Sequence, residues 1–405
     1  MKICDLTQFY SPVSGGVKRY IAEKVSYLQA HAPDDEHILV IPGERDHCEI
    51  GERSRVYTVR SPVISRTSRY RVLFRLEAVE RILERERPHL IESGDPYQLA
   101  WKAVCSGDAL RIPVIGFYHS HFPEAYLRSS AKFLGATATE FALDFSRRYI
   151  RRLYNHFERT LVPSPALGDV LTAWGVDNVF HTDLGVDISI FHPEPAPGEN
   201  VRAEFGIPAD RPILLYIGRL AQEKNTQTLF QAFRLLEERG ANCQLIVIGD
   251  GLQRRELEQL HTELIGAGRR RQGRAAGSAP PITWLPYCAK ASRLAALYRA
   301  ADLFVHPGVQ ETFGLVTLEA QACGTPVIGI RGSYMDRIIH GSQVSWANEN
   351  NPEGLAGAVT SALAHRLKAN SPGLGERIAA RYSWTGVFDR LFDLYRQVIR
   401  EYRRV

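Results

Sequence analysis

The sequence predicts an α/β protein of two doubly wound, Rossmann-like domains, and three observations predict it. Short apolar runs alternate with longer segments of helical period, the pattern of parallel strands joined by crossover helices. The 405 residues, 44% of them hydrophobic, exceed what one ordinary core holds and suffice for two. At mid-chain Phe191-His192-Pro193-Glu194-Pro195-Ala196-Pro197-Gly198 interrupts the alternation with linker composition and little to bury.

Taken in order, Lys2 to Leu6 reads as the first strand. A loop containing Gly15 and Gly16 follows, and then Val17, Tyr20, Ile21, Val25 and Leu28 mark one face of a helix. Further strands are expected at Ile38 to Ile41, His89 to Ile91, Pro113 to Tyr118 and Thr160 to Val162, with helices near 70–86 and 139–155. These elements make a first domain over 1–190. Beyond the linker, Ile213 to Ile217, Gln244 to Ile248, Ile282 to Leu285, Leu303 to Val305 and Pro326 to Ile330 read as the strands of a second domain over 198–383. The last helix, about Trp384 to Arg403, carries Val387, Leu391, Leu394 and Val398 on one stripe and must pack on something.

Two segments are basic without being obvious sites. Gly266 to Pro281 carries Arg269-Arg270-Arg271 among Gly, Ala and Ser, and reads as a solvated loop rather than a phosphate site. Ser68 to Arg87 reads as a core-facing helix with a solvated basic face, with lipid contact as its alternative. The net charge of +5 is spread among many acidic residues, so it does not demand nucleic acid. An anionic substrate or membrane surface suits it equally.

Six cysteines, at 4, 48, 105, 243, 288 and 323, show no C-x-x-C spacing. That argues for reduced thiols rather than disulfides or structural zinc, and for the cytosol. The N-terminal residues lack the apolar stretch of a signal peptide, and no run of about 18 apolar residues is present to span a bilayer. Membrane contact, if made, is expected to be peripheral.

The most informative segment runs from His306 to Pro326. It leaves the carboxyl end of a strand, passes through a loop and enters a helix that Gly324 and Pro326 terminate. Ligands of such sheets bind beyond the carboxyl ends of strands, where a helix N-terminus offers N–H groups to phosphate. Phe313, Gly314 and Leu315 are placed to do this. Thr317 and Gln321, four apart and polar, are expected on the solvent face, which turns Glu319 inward. An inward carboxylate needs partners, and a sugar diol would engage both of its oxygens. Glu311 lies in the preceding loop. Gly218-Arg219-Leu220-Ala221-Gln222-Glu223-Lys224-Asn225 follows another strand, and its two cations, Arg219 and Lys224, can clamp one diphosphate. His119 directly follows the strand ending at Tyr118, with His121 two residues on.

These residues resemble family 4 of the retaining glycosyltransferases. The match rests on Glu311-x7-Glu319 within Glu311-Thr312-Phe313-Gly314-Leu315 and Glu319-Ala320-Gln321-Ala322-Cys323-Gly324-Thr325-Pro326, together with Gly218-Arg219-Leu220 and Lys224-Asn225. Gly15-Gly16, Tyr118-His119-Ser120-His121-Phe122-Pro123 and Gly185-Val186-Asp187 extend it over most of the chain. The resemblance implies the GT-B arrangement, two domains facing across a cleft, with the final helix, 384–405, crossing back to the first. It implies a nucleoside-diphosphate sugar donor, retention of configuration and no metal or other cofactor. Glu319 would bind the ribose diol, Glu311 the donor sugar hydroxyls, Arg219 and Lys224 the diphosphate, and His119 would sit beside the transferred sugar. The catalytic pair is thus His119 and Glu311, and the donor site Gly15, Gly16, Arg219, Lys224, Phe313, Gly314, Leu315 and Glu319.

The chain departs from the family where many members have Gly-Gly-x-x-Glu: it has Gly332-Ser333-Tyr334-Met335-Asp336. The sequence does not encode donor base, donor sugar or acceptor, whether glycan, lipid or small molecule. A sugar-nucleotide epimerase and a non-catalytic nucleotide-sugar-binding protein are the alternatives, since fold alone does not decide chemistry.

Overall fold

Lys2–Leu6 (β1) is flanked in the first sheet by two strands that run parallel to it, Glu36–Gly43 (β2) and Leu90–Ser93 (β5). A computed structural model gives this architecture, and it describes residues 1–8, 10, 16–63, 71–119, 135–262, 280–335 and 337–404. The chain divides into two compact units, Met1–Leu184 with Trp384–Val405, and Gly185–Ser383.

In the first unit the helices Gly16–His31 (α1), Leu76–Glu86 (α2), Gln98–Leu110 (α3), Ala136–Tyr154 (α4) and Pro165–Ala173 (α5) alternate with strands. His47–Ile50 (β3), Ser54–Arg60 (β4), Val114–Phe117 (β6), Arg159–Val162 (β7) and Val179–His181 (β8) complete a sheet of order β3-β4-β2-β1-β5-β6-β7-β8. All pairings are parallel except β3 with β4. The order reverses at β1, so the crevice beyond β1 and β5 is the topological switch point. Val79 and Leu83 of α2 are buried, which makes this helix core-facing.

The second unit holds Val201–Glu204 (α6), Ile213–Ile217 (β9), Thr226–Glu238 (α7), Gln244–Ile248 (β10), Ile282–Leu285 (β11), Ala291–Ala300 (α8), Leu303–Val305 (β12), Leu315–Ala322 (α9), Val327–Ile330 (β13), Trp346–Ala347 (β14), Pro352–Ala364 (α10) and Leu374–Tyr382 (α11). Its sheet is wholly parallel, in the order β11-β10-β9-β12-β13-β14, with the reversal between β9 and β12. Gly249, at φ +141, ends β10 where a Cβ would stand 2.0 Å from the Gly218 carbonyl oxygen. Only glycine lets those two loops lie backbone against backbone.

Trp384–Tyr402 (α12) belongs to the first unit. Its apolar stripe packs against α1: the Tyr27 and Phe392 rings meet at 5.0 Å, and the Tyr27 hydroxyl donates to Asp389. The expected linker proves partly structural. Phe191 is buried against Tyr298, their rings 6.0 Å apart, because the stretch is anchored to the second unit before it becomes exposed.

Candidate active site

The switch point of the second unit gathers the predicted cations and acids. From β9 the chain passes through Gly218 and Arg219 into a short 3-10 turn, Gln222–Lys224, which Asn225 ends in the left-handed region at φ 56. Asparagine tolerates that conformation because its short side chain bonds locally. Here the amide donates to the Pro307 carbonyl at 3.0 Å and to Asn350 at 2.8 Å. The loop after β9 is thereby tied to the loop after β12, and Lys224 donates to Glu311 Oε2.

Glu311 is partly buried, which raises a carboxyl's pKa. Lys224, then His306 and Arg219, outweigh burial and hold it below the ordinary value. Sequence reading missed His306, whose Nε2 lies 4.0 Å from Glu311 Oε2 and whose imidazole burial pushes down to about 4. Its only signal was its place at the end of β12. Arg219 is mostly exposed and lies 3.6 Å from Glu223, so it is the cation best placed to meet an incoming anion.

Next to these, α9 begins at Gly314, in the left-handed region at φ +74. A Cβ there would meet Met335 Sδ at 2.7 Å. Met335 is fully buried under the turn, so the segment that departs from the family pattern supports the start of this helix. Phe313 is buried, Leu315 is half-buried, and the first amides of α9 lack partners within the helix. One turn on, Glu319 is buried as expected, and Tyr298 donates to its Oε2 at 3.0 Å.

The solvent face expected at Thr317 and Gln321 is not there. Both are fully buried, because α8, α11 and β13 all pack against α9. Gln321 donates to the Thr317 and Ile338 carbonyls, 3.1 Å each, and accepts from the His340 N–H at 2.7 Å. Hydrogen bonds made in this way offset the desolvation of the buried Gln321 amide, so it need not face solvent. Within β11, Trp284 donates to His261 Nδ1 at 3.0 Å and stacks on Phe230, while Tyr287, in the loop that follows, stands exposed.

His119 and Gly16 lie in the first unit. His119 follows β6 and is half-buried, stacked on Phe117 at 3.8 Å with the Tyr20 ring edge-on at 5.2 Å. Burial, reinforced by the Lys24 ammonium and opposed by Asp5, pushes its imidazole down to about 3. It is therefore neutral at physiological pH. Gly16 is exposed at the start of α1, with open space where a Cβ would stand. Gly15 and His121 lie outside the described residues, as do Arg269, Arg270 and Arg271.

The chain thus comprises two doubly wound units, with cations, acids and a helix N-terminus at the switch point of the second. The profile described as "Glycosyltransferase Family 4" matches residues 14–190, and "Glycosyl transferases group 1" matches 198–373. A GDP-mannose-dependent alpha-mannosyltransferase of Corynebacterium glutamicum is 30% identical, over 84% of this chain and 75% of its own length. A GDP-mannose-dependent alpha-(1-6)-phosphatidylinositol dimannoside mannosyltransferase of Mycobacterium tuberculosis is 27% identical, over 95% and 93%. Among solved structures, sucrose-phosphate synthase from Thermosynechococcus elongatus superposes with a TM-score of 0.74 at 22% identity, covering 99% of both chains. The chain belongs to glycosyltransferase family 4: it is an enzyme, and its donor is a nucleotide sugar. Among the described residues no helix is long and apolar enough to cross a membrane.

Proposed function

We propose that this enzyme transfers a mannosyl group from GDP-mannose to an acceptor hydroxyl, with retention of configuration and without a metal ion. The names of the relatives that match along most of the chain support the donor. The observation that carries the rest is the junction of Arg219, Lys224 and Glu311 beside the N-terminus of α9. Arg219, Lys224 and the amides at Phe313, Gly314 and Leu315 receive the diphosphate, and Glu319, held by Tyr298, receives the ribose diol. Glu311 binds sugar hydroxyls, and His119 is assigned to the transferred sugar.

In the reaction the bond between the anomeric carbon and the diphosphate oxygen breaks as the acceptor oxygen bonds the same face of that carbon. The acceptor's proton passes to the departing phosphate, and GDP leaves. Negative charge grows on that phosphate, so fixed cations and N–H dipoles there lower the barrier most. A neutral His119 offers a hydrogen bond without repelling the positive charge that develops on the sugar ring.

This reading includes a cytosolic location with peripheral membrane contact, supported by the lipid named in the substrate of the Mycobacterium tuberculosis relative. The test incubates the enzyme with GDP-mannose and methyl α-D-mannoside in EDTA, and follows GDP release and the product's anomeric proton. An α-linked product supports the reading; a β-linked product, or release only from UDP-glucose, overturns it. Flotation with anionic vesicles tests the membrane contact, which fails if the protein stays at the bottom.

A further inference from the structure

Behind His119 lies a set of charges withdrawn from solvent. Lys24 of α1, wholly buried, donates to both oxygens of Asp5 and to Glu92 Oε1, at 3.0 Å in each case. His37 Nε2 stands 2.8 Å from Asp5 Oδ2. Tyr20, four residues before Lys24 and so on the same face of α1, donates to Glu92 Oε1 at 3.1 Å, and Tyr395 of α12 donates to Glu92 Oε2. Desolvating such ions costs several kcal/mol apiece, and apolar residues of similar volume often stabilise a fold as well or better. Joining α1 to the sheet does not by itself require them.

What they do require is a fixed Tyr20. Its ring meets Phe117 at 5.1 Å and His119 at 5.2 Å, both edge-on, while His119 stacks on Phe117. The three rings close on one another, and the hydroxyl of Tyr20 is the point at which the cluster is pinned. Glu92 is pinned in turn by Lys24, and it stands on β5 beside the switch point of this unit.

We propose that Tyr20 and Glu92 are positioning residues for the transfer reaction, holding the imidazole of His119 at the angle from which it meets the transferred sugar. The proposal rests on the reading that His119 acts on that sugar. Lys24 serves it twice, by fixing Glu92 and by disfavouring a second positive charge on the neighbouring imidazole.

Tyr20→Phe keeps the ring and removes the pin. Turnover, read as GDP released from GDP-mannose with methyl α-D-mannoside present, should fall about tenfold, the equivalent of one hydrogen bond. Affinity for bare GDP should not change. Tyr395→Phe, which removes the other hydroxyl on Glu92, should lower Tm comparably while leaving turnover within about twofold. The deciding measurement is the double-mutant cycle with His119→Ala. The loss from Tyr20→Phe should vanish in the His119→Ala background. An equal loss in both backgrounds makes Tyr20 merely structural and overturns the proposal. Wild-type turnover in His119→Ala alone overturns the reading of His119 on which it rests. Should Tyr20→Phe not fold, Glu92→Gln enters the same cycle with the same expectations.

Discussion

Lys224 donates to Glu311 across 87 residues of sequence, and together with the Asn225 amide on the Pro307 carbonyl this pair joins the loop after β9 to the loop after β12. In this pair the cation proposed for the diphosphate and the acid proposed for the sugar neutralise each other. Donor binding must therefore separate or share them.

Glu311→Gln should release Lys224. Affinity for bare GDP should stay the same or rise a few-fold, while GDP-mannose weakens by roughly 10–150-fold, the worth of a charge-assisted hydrogen bond of about 1.5–3 kcal/mol. Lys224→Ala should weaken both ligands. Isothermal titration of the two variants with the two ligands checks this, and a large loss of bare GDP in Glu311→Gln would refute it.

With Arg219 and Lys224 at the phosphate, transfer should survive EDTA at an undiminished rate. Dialysed enzyme assayed with and without added magnesium or manganese decides it. A strict requirement for either ion removes the assigned role of the two cations.

Much of the second unit was legible because wholly parallel sheets are buried on both faces. Ile213 to Ile217, Gln244 to Ile248, Ile282 to Leu285 and Leu303 to Val305 are short runs made almost wholly of apolar residues, Gln244 and Thr283 excepted, and each is a strand with the expected limits. The antiparallel edge strand β3 is mostly exposed and mixed in composition, so it left no such signal. Glu319 was legible from its place on a helix, but Tyr298, 21 residues earlier, was not. Thr317 and Gln321 misled for the same reason: the groups that satisfy Gln321 include Ile338 and His340, which local periodicity cannot see. The set around Lys24 joins β1, α1, β2, β5 and α12, and no spacing along the chain announces a meeting of that kind.

Gly314→Ala places a methyl at a positive φ and against Met335 Sδ. The backbone strain is worth roughly 1–2 kcal/mol, and the start of α9 must shift to relieve it. We expect a lower urea midpoint and weaker GDP binding together. The pair Gly314→Ala with Met335→Ala should recover part of the binding, because the sulfur no longer blocks the methyl. No recovery would mean that φ alone is responsible.

Asp95 gives the first unit a measurable pH signature. It is buried, accepts the Gln8 N–H at 2.8 Å and the Tyr97 N–H at 3.4 Å, and burial pushes its carboxyl up to about 6. Between about pH 4 and 6 the folded protein holds a proton that the unfolded chain has lost. Stability therefore falls as pH rises through that window, by on the order of 3 kcal/mol at ~1.4 kcal/mol per pH unit, and is level above it. Asp95→Asn should abolish this contribution. Urea midpoints of both proteins from pH 4 to 7 check it, and parallel curves would show that Asp95 does not titrate there.

On the proposed assignment, variants of Glu319 and Tyr298 should separate nucleotide recognition from sugar recognition. Glu319 sits one turn inside α9, away from the loop that carries Glu311, so it should contact a part of the donor common to GDP and GDP-mannose. Glu319→Gln should weaken both by the same factor, roughly 10–150-fold for one charge-assisted hydrogen bond. Tyr298→Phe removes the donor that orients Glu319 without touching ligand, so its loss should be smaller, equal for the two ligands, and absent when Glu319 is already Gln. Glu311→Gln supplies the contrast, since it should discriminate between the ligands. If Glu319→Gln spares bare GDP and weakens only GDP-mannose, Glu319 binds the sugar, and the assignment of the two glutamates is reversed.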